Sequence, residues 1–231
     1  MIKSYLKIAL RNLWKHKIFA FINITGLAIG IAACFLIFLY VHFELSYDTF
    51  NTKADRIYRL VTDIKTPSDL MQLGSSSPAM AVNIQKGFPE VELTARISSQ
   101  TFIIRKGNKE FEDANVLMAD SALFNIFDFP LLYGNKNTAL KEPMSIVLSQ
   151  SAAKKYFGYN NAIGQTLLLT DKQLNATVTG VMKDIPPNAQ FRADILVSMS
   201  SQQRLFGQPL DNQWTNFSVI SYLLLKACCK S

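Results

Sequence analysis

From Ile18 to Val41 the chain runs for 24 residues without a charge, and only Asn23 and Thr25 among them are strongly polar. A helix needs ~20 such residues to cross a bilayer core of ~30 Å. The pattern predicts a transmembrane helix over 18–41. In the preceding residues, Ile2, Tyr5, Leu6, Ala9, Leu10 and Leu13 share one arc of a helical wheel. Lys3, Lys7, Arg11 and Lys15 form an i, i+4 stripe on another. This predicts a cytoplasmic amphipathic interfacial helix over 1–17, its basic side toward anionic headgroups and Trp14 at the interface. The plainer alternative is a flank that only sets topology.

Beyond His42 the pattern changes to short runs of both periods. Arg56 to Val61 alternates as a half-buried strand does, whereas Thr62 to Ser77 is polar and rich in Ser, Pro and Gly and reads as a loop. Ser77 and Pro78 open a helix that Gly87 ends. Val91 to Ser98 is extended. Thr101–Arg105 and Glu110–Phe111 flank a turn, and Asn115–Met118 suits a further strand. Asp120 is placed to cap a helix through Ile126. Ser145–Leu148 reads as a strand, followed by a helix from Gln150 to Phe157 between Ser149 and Gly158. Thr166–Leu169 and Leu174–Thr179 flank a turn tipped by Asp171 and Lys172. Ala193–Val197 and Val219–Leu225 are strand-like, and Ser198–Leu205 is helical. Mixed short elements point to an α+β domain, and 190 residues are ample for a core.

Inside the apolar run, Ile31-Ala32-Ala33-Cys34 resembles a lipoprotein processing site. Seven apolar or aromatic residues follow Cys34, where a processed lipoprotein would continue in polar chain. The flanks therefore favour a retained helix over a signal peptide, whose apolar region is only ~7–15 residues. Gly26, Gly30 and Ala33 lie on that helix at a spacing that lets a second helix approach, which marks them as candidates for helix–helix contact in the membrane.

Charge sets the orientation. Five basic residues and no acid precede residue 18, and Glu44 and Asp48 follow the span. Positive residues stay inside, so the N-terminus is expected in the cytoplasm and residues 42–231 outside. The other 19 Lys and Arg face 17 acids there, so the formal charge of +7 is a topology signal and nucleic acid is not an expected partner.

The chemistry of the outer part is sparse. His16 and His42 flank the membrane run and cannot meet in one outer site. No metal-ligand spacing occurs, and no Gly-Lys-Ser or Gly-Lys-Thr loop is present. Glu90/Glu92 and Glu110/Glu112 read as solvated faces. Asn175-Ala176-Thr177 and Asn216-Phe217-Ser218 match a common sequon, and the neighbours Cys228 and Cys229 are a poor fit for a bridge. No catalytic residue, metal site or cofactor is expected.

Long motifs carry a resemblance. They are "YLKIALRNLWKHKIFAFINITGLAIGIAACFLI", "ELSYDTFNTKADRIYRL", "FPEV", "FNIFDFPLLYGN", "SIVLSQSAAKKYFG" with "AIGQTL", and "VTGVMKDIPPNAQFRADILVSM". Together the chain resembles the opening of bacterial ABC-transporter permeases of the FtsX-like/MacB-like family, over Tyr5 to about Lys226. The resemblance implies an inner-membrane protein with one N-terminal span and a periplasmic core domain of two lobes. These are a base lobe of about 45–98 and 178–226 and an inserted lobe of about 99–177. It also implies a non-catalytic coupler working with a cytoplasmic ABC ATPase subunit, with membrane lipid, with itself as a homodimer or with a related permease, and with a periplasmic partner protein.

The resemblance implies four transmembrane helices in all, three of them after this domain, and no second span follows "SYLLLK" here, so a C-terminally truncated product or a fragment is expected. Two rivals stand beside this. One is a stand-alone membrane-anchored interaction or sensing domain. The other is a secreted or anchored enzyme, disfavoured by the lack of a plausible nucleophile, metal site or acid–base pair.

Overall fold

The computed structural model describes Tyr5 and residues 11–12, 14–107, 109–158, 161–169, 173–207 and 209–227. They divide into two units, residues 1–47 and 48–231.

The first unit is dominated by α1, Lys17–Glu44, 28 residues long and with none of them buried. At ~1.5 Å per residue it is ~42 Å long, longer than a bilayer core. Apolar side chains cover its whole circumference, from Phe19 and Ile24 to Phe35 and Tyr40, as on a helix that faces lipid. It is a candidate membrane span, and it runs through Cys34 without a break. Ahead of it, residues 11–12 and 14–15 are helical, the amide of His16 donates to Asn12 O at 3.1 Å, and Lys17 Nζ lies 5.5 Å from the Trp14 ring centre.

The second unit is built on one nine-stranded mixed sheet. Its strands are β1 (Ile57–Arg59), β4 (Val91–Lys106), β5 (Lys109–Ala119), β6 (Leu131–Tyr133), β7 (Ser145–Ser149), β8 (Thr166–Leu169), β9 (Leu174–Met182), β10 (Ile195–Ser198) and β11 (Ile220–Leu225). The order is β1-β11-β4-β5-β10-β7-β9-β6, and β8 bridges β4 and β9. That bridge closes β4, β5, β10, β7, β9 and β8 into a ring. The helices are α2 (Pro78–Gly87), α3 (Leu123–Ile126), α4 (Gln150–Phe157) and α5 (Gln202–Phe206), the last preceded by a 3₁₀ turn over Met199–Ser201.

The middle strands β7 and β10 are buried at every position and apolar except for Ser145, Ser149 and Ser198 at their ends, as strands covered on both faces are. Side chains alternate across a strand. Val116, Met118, Ile146, Leu148, Ile195 and Val197 enter one core with Phe102, Tyr156 and Leu167. Leu117, Ala119, Val147 and Leu196 enter a second core with Phe124, Phe127, Phe129 and Tyr222.

Local signals place α4 as expected: the Ser149 hydroxyl accepts the Ala152 amide at 3.0 Å, and Gly158 follows at φ 65°. Three expectations need correction. Thr62 to Ser77 is not a loop. Thr62–Lys65 (β2) and Leu70–Leu73 (β3) pair as a separate antiparallel hairpin, whose mostly exposed sides give no apolar alternation to read. Thr101–Arg105 and Asn115–Met118 are not separate strands but parts of β4 and β5, with a register shift between Gln100 and Phe102. Asp120 and Ser77 do not cap through their side chains. Asp120 accepts from Arg96 instead, and among the described residues the buried Ser77 hydroxyl has no partner.

Candidate functional site: the joint after the membrane helix

The second unit begins with a short stretch that is bound at many points. Asp48 donates its amide to Asn188 O at 3.0 Å and accepts the Gln190 amide on Oδ1 at 3.2 Å. Its φ is +56°, and the Asn51 backbone and side-chain N–H groups both donate to its carbonyl, at 3.1 and 3.2 Å. A left-handed turn is tolerable for Asp, whose short side chain bonds locally.

Asp128 is the main anchor of this stretch. Its Oδ2 accepts the Thr52 amide and hydroxyl, each at 2.6 Å; its Oδ1 lies 3.6 Å from Lys53 Nζ; and its amide donates to Asn51 Oδ1 at 3.1 Å. Lys53 Nζ also donates to Asn125 O at 2.5 Å. Burial opposes the Asp128 charge, but the Thr52 bonds and Lys53 outweigh it and hold the carboxyl below its usual pKa.

A few residues on, Arg56 Nη1 donates to Leu225 O at 2.9 Å and reaches Glu92 at 3.3 Å. Residues just after the span are thereby tied to the last strand, which already pairs with β1 through Ile57 and Leu224.

A second anchored charge is Arg96 on β4. Its guanidinium, only 9% exposed, donates to Asp120 through Nε (2.8 Å) and Nη2 (3.0 Å), and to Asp211 and Pro78 O through Nη1. Burial disfavours the charge, yet Asp120 and then Asp211 more than offset it, so its pKa is raised. Asp184 accepts from the Ser151 amide and hydroxyl at the start of α4. Burial opposes its charge, and those bonds outweigh it, lowering its pKa.

Of the residues singled out in sequence, Gly26, Gly30 and Ala33 lie on α1, and a Cβ at either glycine would meet nothing within 4 Å. Arg11 and Lys15 are exposed; Lys3 and Lys7 lie outside the described residues, as do Asp171, Lys172, Cys228 and Cys229. Glu90, Glu92 and Glu110 are exposed, as read; Glu92 also pairs with Arg56 and Glu110 with Arg105 at 3.8 Å, and the Glu112 side chain lies outside the described residues. Asp48, Arg96 and Asp128 were not singled out, because their partners are distant in sequence. Among the described residues no group of three or more His, Cys, Asp or Glu is placed to hold a metal.

Solved structures share this fold. A domain of a candidate permease protein from Porphyromonas gingivalis matches with a TM-score of 0.67 and 26% identity, over 78% of this chain and 77% of its own. The periplasmic region of MacB from Actinobacillus actinomycetemcomitans matches with 0.53 and 17%, over 68% of each chain. The extracellular domain of the noncanonic ABC-type transporter YknZ from Gram-positive bacteria matches with 0.51 and 15%, over 74% and 83%. No curated protein matches the chain. No enzymatic family is indicated, and the profile that does match, the MacB-like periplasmic core domain, spans residues 20–226. With an N-terminal apolar helix leading into a transporter-type α+β domain, the chain belongs to the MacB-like periplasmic core domain family.

Proposed function

We propose that the chain is a permease subunit, or part of one, in an ABC-type export or mechanotransmission system. It couples a cytoplasmic ABC ATPase to events in the periplasm and is not itself catalytic. The observation that carries this reading is the joint. A coupler must deliver displacement of its membrane helix to the folded domain, and a slack linker would absorb it. Here residues 48–56 are held by Asp128, Asn188, Gln190 and the Leu225 carbonyl within a few residues of α1.

The basic stripe of Lys3, Lys7, Arg11 and Lys15 supports a cytoplasmic N-terminus on the inner membrane, in contact with anionic lipid. Gly26, Gly30 and Ala33 are the proposed contact with a second permease helix, in a homodimer or with a relative. The outer residues then face the periplasm and a partner protein there. Their work is divided between a base lobe (about 45–98 and 178–226) and an inserted lobe (about 99–177).

The test is to express the full chain with its native ATPase, tag it and purify it in lipid nanodiscs. The ATPase should co-purify, and vanadate trapping should change hydrogen exchange at residues 48–56. If the ATPase is not retained, or exchange at the joint is the same with and without trapping, the reading fails.

A further inference from the structure

Arg59 on β1 and Tyr222 on β11 are direct cross-strand partners, so their side chains share one face of the sheet. A cavity of about 150 Å³ lies over that face, lined by these two residues with Asp48, Asn51, Phe127 and Gln190. Asp48 and Arg59 carry opposite charges around this one cavity, yet no ion pair joins them among the described residues. Each is steered elsewhere. Arg59 donates Nε and Nη2 to Gly74 O, and Asp48 Oδ1 accepts the Gln190 amide. Asp48 Oδ2 and Arg59 Nη1 are left over from these bonds.

The rest of the lining is apolar on one side. The rings of Phe127 and Tyr222 meet edge to face at 5.0 Å and form a wall. The Tyr222 hydroxyl donates to Gln190 Oε1 at 3.1 Å. Its pKa is pushed up to about 12, chiefly by burial, with Arg59 pulling it down and Asp48 pushing it up, so both charges are felt at the buried end of the cavity.

These features select a ligand by size and charge. The volume corresponds to about five waters at ~30 Å³ each. It is well below the ~300–1,000 Å³ of sites for drug-sized molecules. A simple amine would leave Arg59 Nη1 unused and place a second positive charge beside the guanidinium, and a simple anion would meet the Asp48 carboxylate. A small zwitterion satisfies both. We propose that this cavity binds a small α-amino acid, its ammonium on Asp48 Oδ2, its carboxylate on Arg59 Nη1, and its side chain against Phe127 and Tyr222. The ring faces add a favourable environment for the ammonium. Such a ligand would link Asp48, the first residue of the domain, to the last strand. That consequence for coupling rests on the proposed function; the binding itself does not.

The test is calorimetric titration of the full chain in nanodiscs with L-alanine, ethylamine and propionate. L-Alanine should bind saturably, and the two half-ligands at least about 10-fold more weakly, or ~1.4 kcal/mol each. Asp48→Asn and Arg59→Gln should each weaken L-alanine by a similar factor, measured at a temperature where circular dichroism shows each variant folded, and Arg59→Lys, which restores the charge, should bind better than Arg59→Gln. Ala54→Leu, at the cavity rim, should block binding without touching either charge. The proposal is overturned if L-alanine shows no saturable binding, which would mean a water-filled cavity only. It also fails if ethylamine or propionate binds as well as L-alanine, or if the charge variants bind like the parent.

Discussion

Asp128 accepts both the amide and the hydroxyl of Thr52, 76 residues earlier in the chain, at 2.6 Å each. One carboxylate oxygen thus fastens the start of the 48–231 domain to the loop behind α3. Hydrogen bonds to a charged group contribute ~1.5–3 kcal/mol where they are made. Part of Asp128 is solvated, so Asp128→Ala should cost about 1–2 kcal/mol, read as a lower denaturation midpoint. Amide exchange at Thr52 should rise with it, while the ring of strands around β7 keeps its protection.

Asp128 and Asp184 both have lowered pKa values in the folded chain. A carboxylate of this kind contributes stability that is fully present above its unfolded value of ~3.9 and is lost as pH falls through the lower folded value. The domain should therefore weaken as pH drops below about 4. In Asp128→Asn and Asp184→Asn variants that acid limb of the stability curve should be shallower, as followed by circular dichroism.

Arg96 is the most deeply buried charge in these contacts. Removing one partner of a buried pair typically costs ~3–5 kcal/mol. Arg96→Met should come near this figure, because Asp120 loses the guanidinium on both oxygens. Arg96→Lys, which keeps the charge but not the fork, should fall between it and the parent in urea unfolding.

Gly134 has φ +98°, and a Cβ there would lie 2.6 Å from Thr179 O and 2.9 Å from Gly180 Cα. Backbone, not a flexible side chain, blocks the space. Gly134→Ala should destabilise by at least the ~1–3 kcal/mol of a strained backbone position, measured as a lower melting temperature. Gly107→Ala, which also has a positive φ but meets nothing within 4 Å, isolates the conformational part of that cost.

The proposed helix contact has its own test. A Cβ at Gly26 or Gly30 meets nothing within 4 Å beyond the helix itself, so Gly26→Ile and Gly30→Ile should leave the stability of the domain over 48–231 unchanged. Cysteine cross-linking between copies, or between the chain and a co-expressed permease, through positions on that side of α1 should fall several-fold.

What was legible in the sequence followed from local chemistry. Ser149 and Gly158 mark α4 because a cap and a left-handed glycine act within one turn. Ile195–Ser198 and Ser145–Ser149 stand out because two cores take their alternate side chains. The β2–β3 hairpin was invisible for the converse reason: Thr62, Asp63, Ile64 and Lys65 bury no complete face. Asp48, Arg96 and Asp128 look like ordinary surface charges in sequence. Their roles come from partners 142, 115 and 76 residues away, which no local pattern encodes.

The pairing of β1 beside β11 has a mechanical consequence. Ile57 and Leu224 face each other, so tension that separated residue 56 from residue 225 would peel this ladder one rung at a time. Peeling is the weaker way to load a pair of strands, because the bonds share nothing. Arg56 sits at the open end like the slider of a zip, with its guanidinium across Leu225 O and Glu92. Its release is the step that decides whether the remaining rungs ever feel the pull.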